Sequence, residues 1–149
     1  MLQVCEKHSE YWDGRLPSEI RLSDYFRRAL SSQDEVFQFW IADNGHGSVL
    51  GWEMLAACSS DPARRRLTGE VTTCLGQQSG SLGRTLATHA ICHAARTPLQ
   101  YLFTQVPTRD TLMVSVLEAV GYQEVGLIPA AAKPPAQPER LEFVYVVDH

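Results

Sequence analysis

The sequence contains no apolar run near the roughly 18 residues that a membrane-spanning helix needs, so no membrane span is expected. It contains no C-x-x-C pair. Its four cysteines, Cys5, Cys58, Cys74 and Cys92, are widely and irregularly spaced, which excludes a zinc ribbon and argues against a disulfide framework. A basic excess is also missing: 13 Lys and Arg stand against 17 Asp and Glu, for a net charge of -4. A surface that tracks phosphates carries the opposite sign, so nucleic acid is not an expected partner. The first residues, Met1 to His8, hold no apolar signal core, and the expected location is cytoplasmic. No Gly-Lys-Ser/Thr marks a P-loop, no G-x-G-x-x-G a dinucleotide site, and no H-E-x-x-H a zinc protease.

What is present is the composition of an ordinary globular domain. The 149 residues are 44% hydrophobic and 20% charged, a balance that argues against disorder and for one domain, residues 1–149, burying roughly 70% of its unfolded surface. The order of elements is mixed α/β. A short strand is expected at Leu2 to Cys5, and Ser23 caps a helix that ends near Ser32. Val36 to Ala42 is aromatic and β-branched and reads as a strand; Asn44-Gly45-His46-Gly47 turns it into a returning strand, Val49 to Cys58. After a polar loop with Arg64, Arg65 and Arg66, Glu70 to Leu75 reads as a strand and Gly76 to Gly83 as a loop. Leu86, Ala87, Ala90, Ile91, Ala94 and Ala95 then keep helical spacing from Arg84 to Arg96. Tyr101 to Val106 reads as a buried strand. Arg109 to Val120 reads as a helix with Leu112, Met113, Val116, Leu117 and Val120 inward and Gly121 as its C′ residue. Tyr122 to Ile128, a proline-rich linker and a last strand at Leu141 to Val147 complete the chain.

The segment Gln77-Gln78-Ser79-Gly80-Ser81-Leu82-Gly83 carries the chemistry. Small residues between a strand and a helix let a ligand approach the backbone, and a helix start offers unpaired N–H groups and a partial positive charge. Such a place suits a pyrophosphate, as in a nucleotide or coenzyme A. By itself the pattern also fits a plain turn.

Taken together, the strand that opens Glu70-Val71, this loop, Arg84-Thr85-Leu86, the following strand and the helix ending Leu117-Glu118-Ala119-Val120-Gly121-Tyr122 resemble the GCN5-related N-acetyltransferases (GNAT). The resemblance is greatest to the phosphinothricin-acetyltransferase-like branch and covers about residues 18 to 148. The family's Gln/Arg-x-x-Gly-x-Gly/Ala motif falls on Gln78 to Gly83: Gln78 and Gly83 match, and Ser81 replaces the middle glycine while keeping an N–H and adding a hydroxyl. The resemblance implies an α+β fold with a mixed, mostly antiparallel sheet flanked by helices. It implies acetyl-CoA as co-substrate, without a metal, and an acetyl transfer to the primary amine of a small molecule such as an amino acid or an antibiotic. It implies that Gln78, Ser79, Gly80, Ser81, Leu82, Gly83, Arg84 and Thr85 hold the pyrophosphate and that Thr73, Cys74 and Leu75 border the pantetheine, with Asp110 at the position of a family asparagine. The chain departs from the pattern in two further ways. Leu117 stands where the family often has a tyrosine that protonates the departing thiolate, and the region before the hairpin is short, which implies an open pocket or one completed by a second copy in a homodimer.

Single residues leave alternatives. Glu70 is the candidate general base, because the reaction needs a neutral amine; its bland reading is a solvated strand start. Glu53, between Trp52 and Met54, points to the opposite face from its neighbours. It is read as binding a cationic acceptor or as an alternative base, against a plain surface position, with Trp52 as pocket wall or core. His89 and His93 have an i, i+4 spacing that zinc can use, but no third ligand is evident, and they and Cys92 read as boundary residues. Cys74 reads as packing and the three arginines as a solvated loop. Two other functions stay open: a silent acyl-CoA-binding module, and a peptide or protein acetyltransferase.

Overall fold

The aromatic run of the first half forms β1 (Gln38–Asp43) and returns as β2 (Val49–Ala57). Their turn is held by short side chains. The Asp43 carboxylate accepts from Gly45 N–H at 2.6 Å, and the Asn44 side-chain oxygen accepts from His46 N–H at 2.9 Å and Ser48 N–H at 3.2 Å. Gly45 and Gly47 adopt φ of +75° and +86°, a region that side chains with a Cβ avoid. β3 (Thr68–Leu75), α1 (Gly80–Ala94), β4 (Tyr101–Pro107), α2 (Thr111–Ala119), β5 (Gln123–Ile128) and β6 (Arg140–Val146) follow. This computed structural model describes residues 27–28, 30–31, 33, 37–57, 67–76, 79–130 and 138–149. The strand expected at Leu2 to Cys5, the arginine loop, Gln78 and most of the linker fall outside them. Of the helix expected up to Ser32, Arg27, Arg28, Leu30 and Ser31 are described, and they are helical.

The six strands form one sheet in the order β1-β2-β3-β4-β6-β5. Every neighbouring pair is antiparallel except β3 and β4. The exception follows from connectivity: α1 lies between β3 and β4 in sequence, and a strand–helix–strand unit brings its second strand in parallel. Alternation along the strands then sorts the residues by face. Leu55, Val71 and Leu75 point to the helices and join Leu86, Ala90, Leu102, Val116 and Leu117 in the core. Trp52 lies on the other face of β2, fully buried, with its ring stacked on Phe39 at 5.3 Å.

The helix ends have identifiable causes. Ser79 caps α1 and accepts from Leu82 N–H at 3.3 Å, and Asp110 caps α2 and accepts from Met113 N–H at 3.1 Å. At the end of α2, Tyr122 N–H reaches Leu117 C=O at 3.0 Å and Gly121 N–H reaches Glu118 C=O at 3.1 Å, with Gly121 at φ +100°. This is a Schellman motif, with Gly121 in the C′ place that the sequence predicts.

Of the expected boundaries that shift, two bear on the site. α1 starts at Gly80 rather than Arg84, so half of the expected loop is the first helical turn. Low helix propensity of Gly and Ser is overridden by the Ser79 cap and by packing. A Cβ on Gly83 would lie 3.3 Å from Val116 and 3.4 Å from Leu75, so the glycine lets α1 approach both α2 and β3. β3 in turn begins two residues early, at Thr68.

Candidate active site

The β3–β4 ladder is short. It comprises Thr68↔Tyr101, Gly69↔Leu102 and Glu70↔Phe103 and ends there, although β3 runs on to Leu75 and β4 to Pro107. β3 remains paired with β2 along that further stretch, from Val71↔Leu55 to Leu75↔Gly51. The sheet therefore opens between two adjacent parallel strands in its middle. The N-terminus of α1 follows directly from the open end of β3.

That N-terminus is rich in donors. The N–H groups of Gly80 and Ser81 have no carbonyl inside the helix by their position in its first turn. The hydroxyls of Ser79 and Ser81 lie 3.1 Å apart, and Thr85 Oγ1 donates to Ser81 C=O at 3.0 Å. An open cavity of about 350 Å³ is lined by Leu50, Ser79, Ser81, Leu82 and Thr85. Four of the residues assigned to cofactor binding thus border one cavity. Arg84 is exposed on the same turn. Gly83 is buried against α2 and β3, so its role is packing; the expectation that it leaves space for a ligand is corrected. Leu75 and Cys74 are likewise buried. Asp110 turns its carboxylate to its own helix as the α2 cap. Leu117 is 2% exposed and sits in the core.

The two glutamates differ. Glu70 is exposed and sits at the last paired position of the β3–β4 ladder. Glu53 is fully buried, which corrects the reading of it as a surface residue. Its Oε1 accepts from Thr73 Oγ1 at 2.8 Å across the β2–β3 ladder, where the two residues are direct partners. Its Oε2 is buried without a hydrogen-bond partner among the described residues. Burial raises the carboxyl from its ordinary 4.5 to about 8, with the Thr73 hydrogen bond opposing the shift. The Tyr122 hydroxyl is also buried without a hydrogen-bond partner among the described residues, and burial together with the nearby Glu53 and Tyr145 pushes it well above the usual phenol range. The sequence reading missed Tyr122; the signal for it was the polar tip of an aromatic in the C″ place of a Schellman motif, which is turned toward the core. Trp52 has no exposed surface, so it belongs to the core and not to a pocket wall.

His89 and His93 pack edge-on against Trp40 at 5.0 and 5.4 Å, which explains their i, i+4 spacing as aromatic packing. No cluster of three or more His, Cys, Asp or Glu side chains suited to a metal occurs among the described residues. No helix among them is long and apolar enough to cross a membrane.

No family profile matches the chain, and no curated protein matches it in sequence. Solved structures do match. A Salmonella typhimurium protein assigned as an acetyltransferase and solved with its cofactor acetyl-CoA covers 99% of this chain and 87% of its own length, with a TM-score of 0.76 and 17% identity. Ribosomal-protein-alanine N-acetyltransferase from Brucella melitensis covers 97% and 91%, with a TM-score of 0.76 and 15% identity. A GNAT superfamily phosphinothricin acetyltransferase from Sinorhizobium meliloti, in complex with acetyl-CoA, covers 88% and 70%, with a TM-score of 0.70 and 16% identity. At such identities the likeness is one of fold. The chain has the fold of the GNAT acetyltransferases, phosphinothricin-acetyltransferase-like structures among them.

Proposed function

We propose that the protein is an acetyl-CoA-dependent N-acetyltransferase that acts on the primary amine of a small molecule. The observation that carries this reading is the opening between β3 and β4 beside the donor-rich start of α1. It supplies an elongated slot next to an anion site within one sheet. Acetyl-CoA brings an activated acetyl thioester. Ser79, Ser81, Arg84 and Thr85, with the first-turn N–H groups of α1, hold its pyrophosphate; Gln78 is assigned there by its place in the motif. Thr73 to Leu75 border the pantetheine arm.

Glu70 is the general base of this proposal. It stands where the ladder ends and is open to solvent, so it can take a proton from an acceptor ammonium directly or through one water. The freed amine attacks the thioester carbonyl, and coenzyme A leaves as a thiol.

The test is thiol release from acetyl-CoA against a library of amines, with calorimetry of acetyl-CoA alone beside it. Stoichiometric binding and turnover with small amines support the proposal. Binding without turnover on any amine would make the protein a silent acyl-CoA module. The fold likeness to ribosomal-protein-alanine N-acetyltransferase motivates a peptide arm in the same screen, and turnover confined to that arm would move the acceptor class to proteins.

A further inference from the structure

Asn44 is the only asparagine among the 149 residues, and Gly45 follows it. The two stand at the tip of the β1–β2 hairpin, where residues 43 to 48 are all exposed. An asparagine side chain carries an amide carbon that the next residue's backbone nitrogen can attack, closing a cyclic imide. Three things ordinarily oppose that step: a Cβ on the next residue, a nitrogen that keeps its proton, and a carbonyl oxygen with nothing to hold its growing charge. The turn answers each of them. Gly45 has no Cβ, and at φ +75° no atom of the described residues beyond its chain neighbours lies within 4 Å of where one would be. Its N–H donates to the Asp43 carboxylate at 2.6 Å, so a proton acceptor already touches the nucleophile. Asn44 Oδ1 accepts from His46 N–H at 2.9 Å and Ser48 N–H at 3.2 Å, two donors placed where charge develops. The bond to His46 also folds the side-chain carbonyl back over the Gly45 peptide, as in an Asx-turn.

We propose that this turn modifies itself: Gly45 N attacks Asn44 Cγ with Asp43 as base, Asn44 becomes aspartate or isoaspartate, and the change reaches the cofactor cavity through Leu50. In the step, a bond forms from Gly45 N to Asn44 Cγ while the N–H proton passes to Asp43. The tetrahedral carbon then expels its amide nitrogen, which takes that proton and leaves as ammonia. Water opens the imide and restores a carboxylate. Opening at the side-chain carbonyl leaves the ordinary backbone; opening at the main-chain carbonyl routes the chain through the side chain and adds a methylene to it. Either product carries one more negative charge. Ser48 ends the turn shortly before Leu50, and Asn44 N–H donates to Ser48 C=O at 3.1 Å, so a lengthened backbone at residue 44 disturbs the start of β2. Leu50 lines the cavity with Ser79, Ser81, Leu82 and Thr85, and its C=O accepts from Gly76 N–H at 2.7 Å, directly after β3. The effect on the cofactor rests on the acetyltransferase reading above; the chemistry at Asn44 does not.

The experiment is a time course of peptide mapping by mass spectrometry on the wild type, folded and in urea, beside Asp43→Ser. Serine keeps an acceptor for Gly45 N–H but is no base. The folded wild type should convert Asn44 about tenfold faster than the urea-unfolded chain and than Asp43→Ser, below the usual worth of a positioned base because the turn must also rotate for the attack. A folded protein that converts no faster than the unfolded chain overturns the proposal, as does a folded Asp43→Ser that matches the wild type. If Asp43→Ser does not fold, the comparison with the unfolded wild type decides alone. Ion exchange separates the converted protein by its extra charge. Calorimetry at low salt should show it binding acetyl-CoA several-fold more weakly than fresh protein, because like charges repel and salt screens them. Equal binding by the two forms overturns the link to the cavity. If fresh protein does not bind acetyl-CoA either, the acetyltransferase reading falls, and the conversion rates still decide the chemistry at Asn44.

Discussion

The two faces of the sheet around β3 carry the same residue type in opposite conditions. On the open side Glu70 is exposed, and it can be exchanged without disturbing the core. On the helix-covered side Glu53 has no access to water, one hydrogen bond, and a carboxyl that keeps its proton to about pH 8. β3, which carries Glu70, is paired on both sides only as far as that residue; beyond it β3 has β2 alone as a ladder partner. Alternation along one sheet thus puts the same residue type in two different environments.

The largest expected effect is on the exposed side. Glu70→Gln should lower kcat/KM by about 10²–10⁴ at neutral pH, the usual worth of a general base, and the loss should shrink at high pH as free amine becomes abundant. Its unfolding midpoint should barely move, because surface substitutions away from special features usually stay within about 0.5 kcal/mol. Steady-state rates over a range of pH, with thermal unfolding in parallel, check both halves. An unchanged profile would move the base elsewhere.

The buried side predicts the reverse pattern, stability that depends on pH. Below pH 4.5 Glu53 is protonated in both the folded and unfolded chain. Between 4.5 and about 8 the unfolded chain releases the proton and the folded one retains it, so stability falls as pH rises, by at most about 1.4 kcal/mol per pH unit from this group. Above about 8 the contribution is flat. Glu53→Gln removes the titration. Its unfolding midpoint should therefore decline less than that of the wild type between pH 5 and 8, and denaturant titrations at several pH values will show whether the two curves converge at low pH.

Much of the fold was legible in local patterns. The hairpin turn, the inward stripe of α2 and Gly121 at its C′ place all depend on residues within one turn of each other, and all stand where the sequence puts them. The packing of Leu117 was legible for the same reason. Glu53 was not. Alternation shows that it opposes Trp52, but which face lies under the helices is decided by α1, nearly thirty residues later in the chain. The start of α1 was misplaced because composition argued for a loop, while the deciding contacts, Gly83 with Val116 and Leu75, are tertiary. The motif Gln78 to Gly83 was legible as a ligand site, but not that its last glycine serves helix packing.

Gly83 tests that distinction. Alanine there would place a Cβ 3.3–3.4 Å from Val116 and Leu75, a fit that needs small adjustments. The gain in helix propensity, roughly 1 kcal/mol, offsets that strain, so Gly83→Ala should be close to neutral. Valine adds two branches in the same gap, and Gly83→Val should cost about 1–3 kcal/mol through overpacking. Ligand-free unfolding is the measurement that matters, since a role limited to ligand binding would leave the valine variant as stable as the wild type.

The smallest expected effect separates capping from ligand binding at Ser79. Its hydroxyl accepts from Leu82 N–H at 3.3 Å, a long bond, and lies beside the Ser81 hydroxyl. Loss of an N-cap costs about 0.5–2 kcal/mol, and the long bond argues for the lower part of that range in Ser79→Ala. Aspartate is as good a cap as serine, and its charge is favourable at a helix N-terminus. Ser79→Asp should therefore unfold at or slightly above the wild-type temperature. The same charge would face the cofactor pyrophosphate if the cavity lined by Ser79, Ser81 and Thr85 is the anion site, and like charges at close range repel. The two variants should then order differently in the two assays: alanine less stable but still binding acetyl-CoA, aspartate stable but binding it more weakly, with the difference shrinking as salt screens the charge. Equal binding by serine and aspartate at low salt would place the pyrophosphate away from the start of α1.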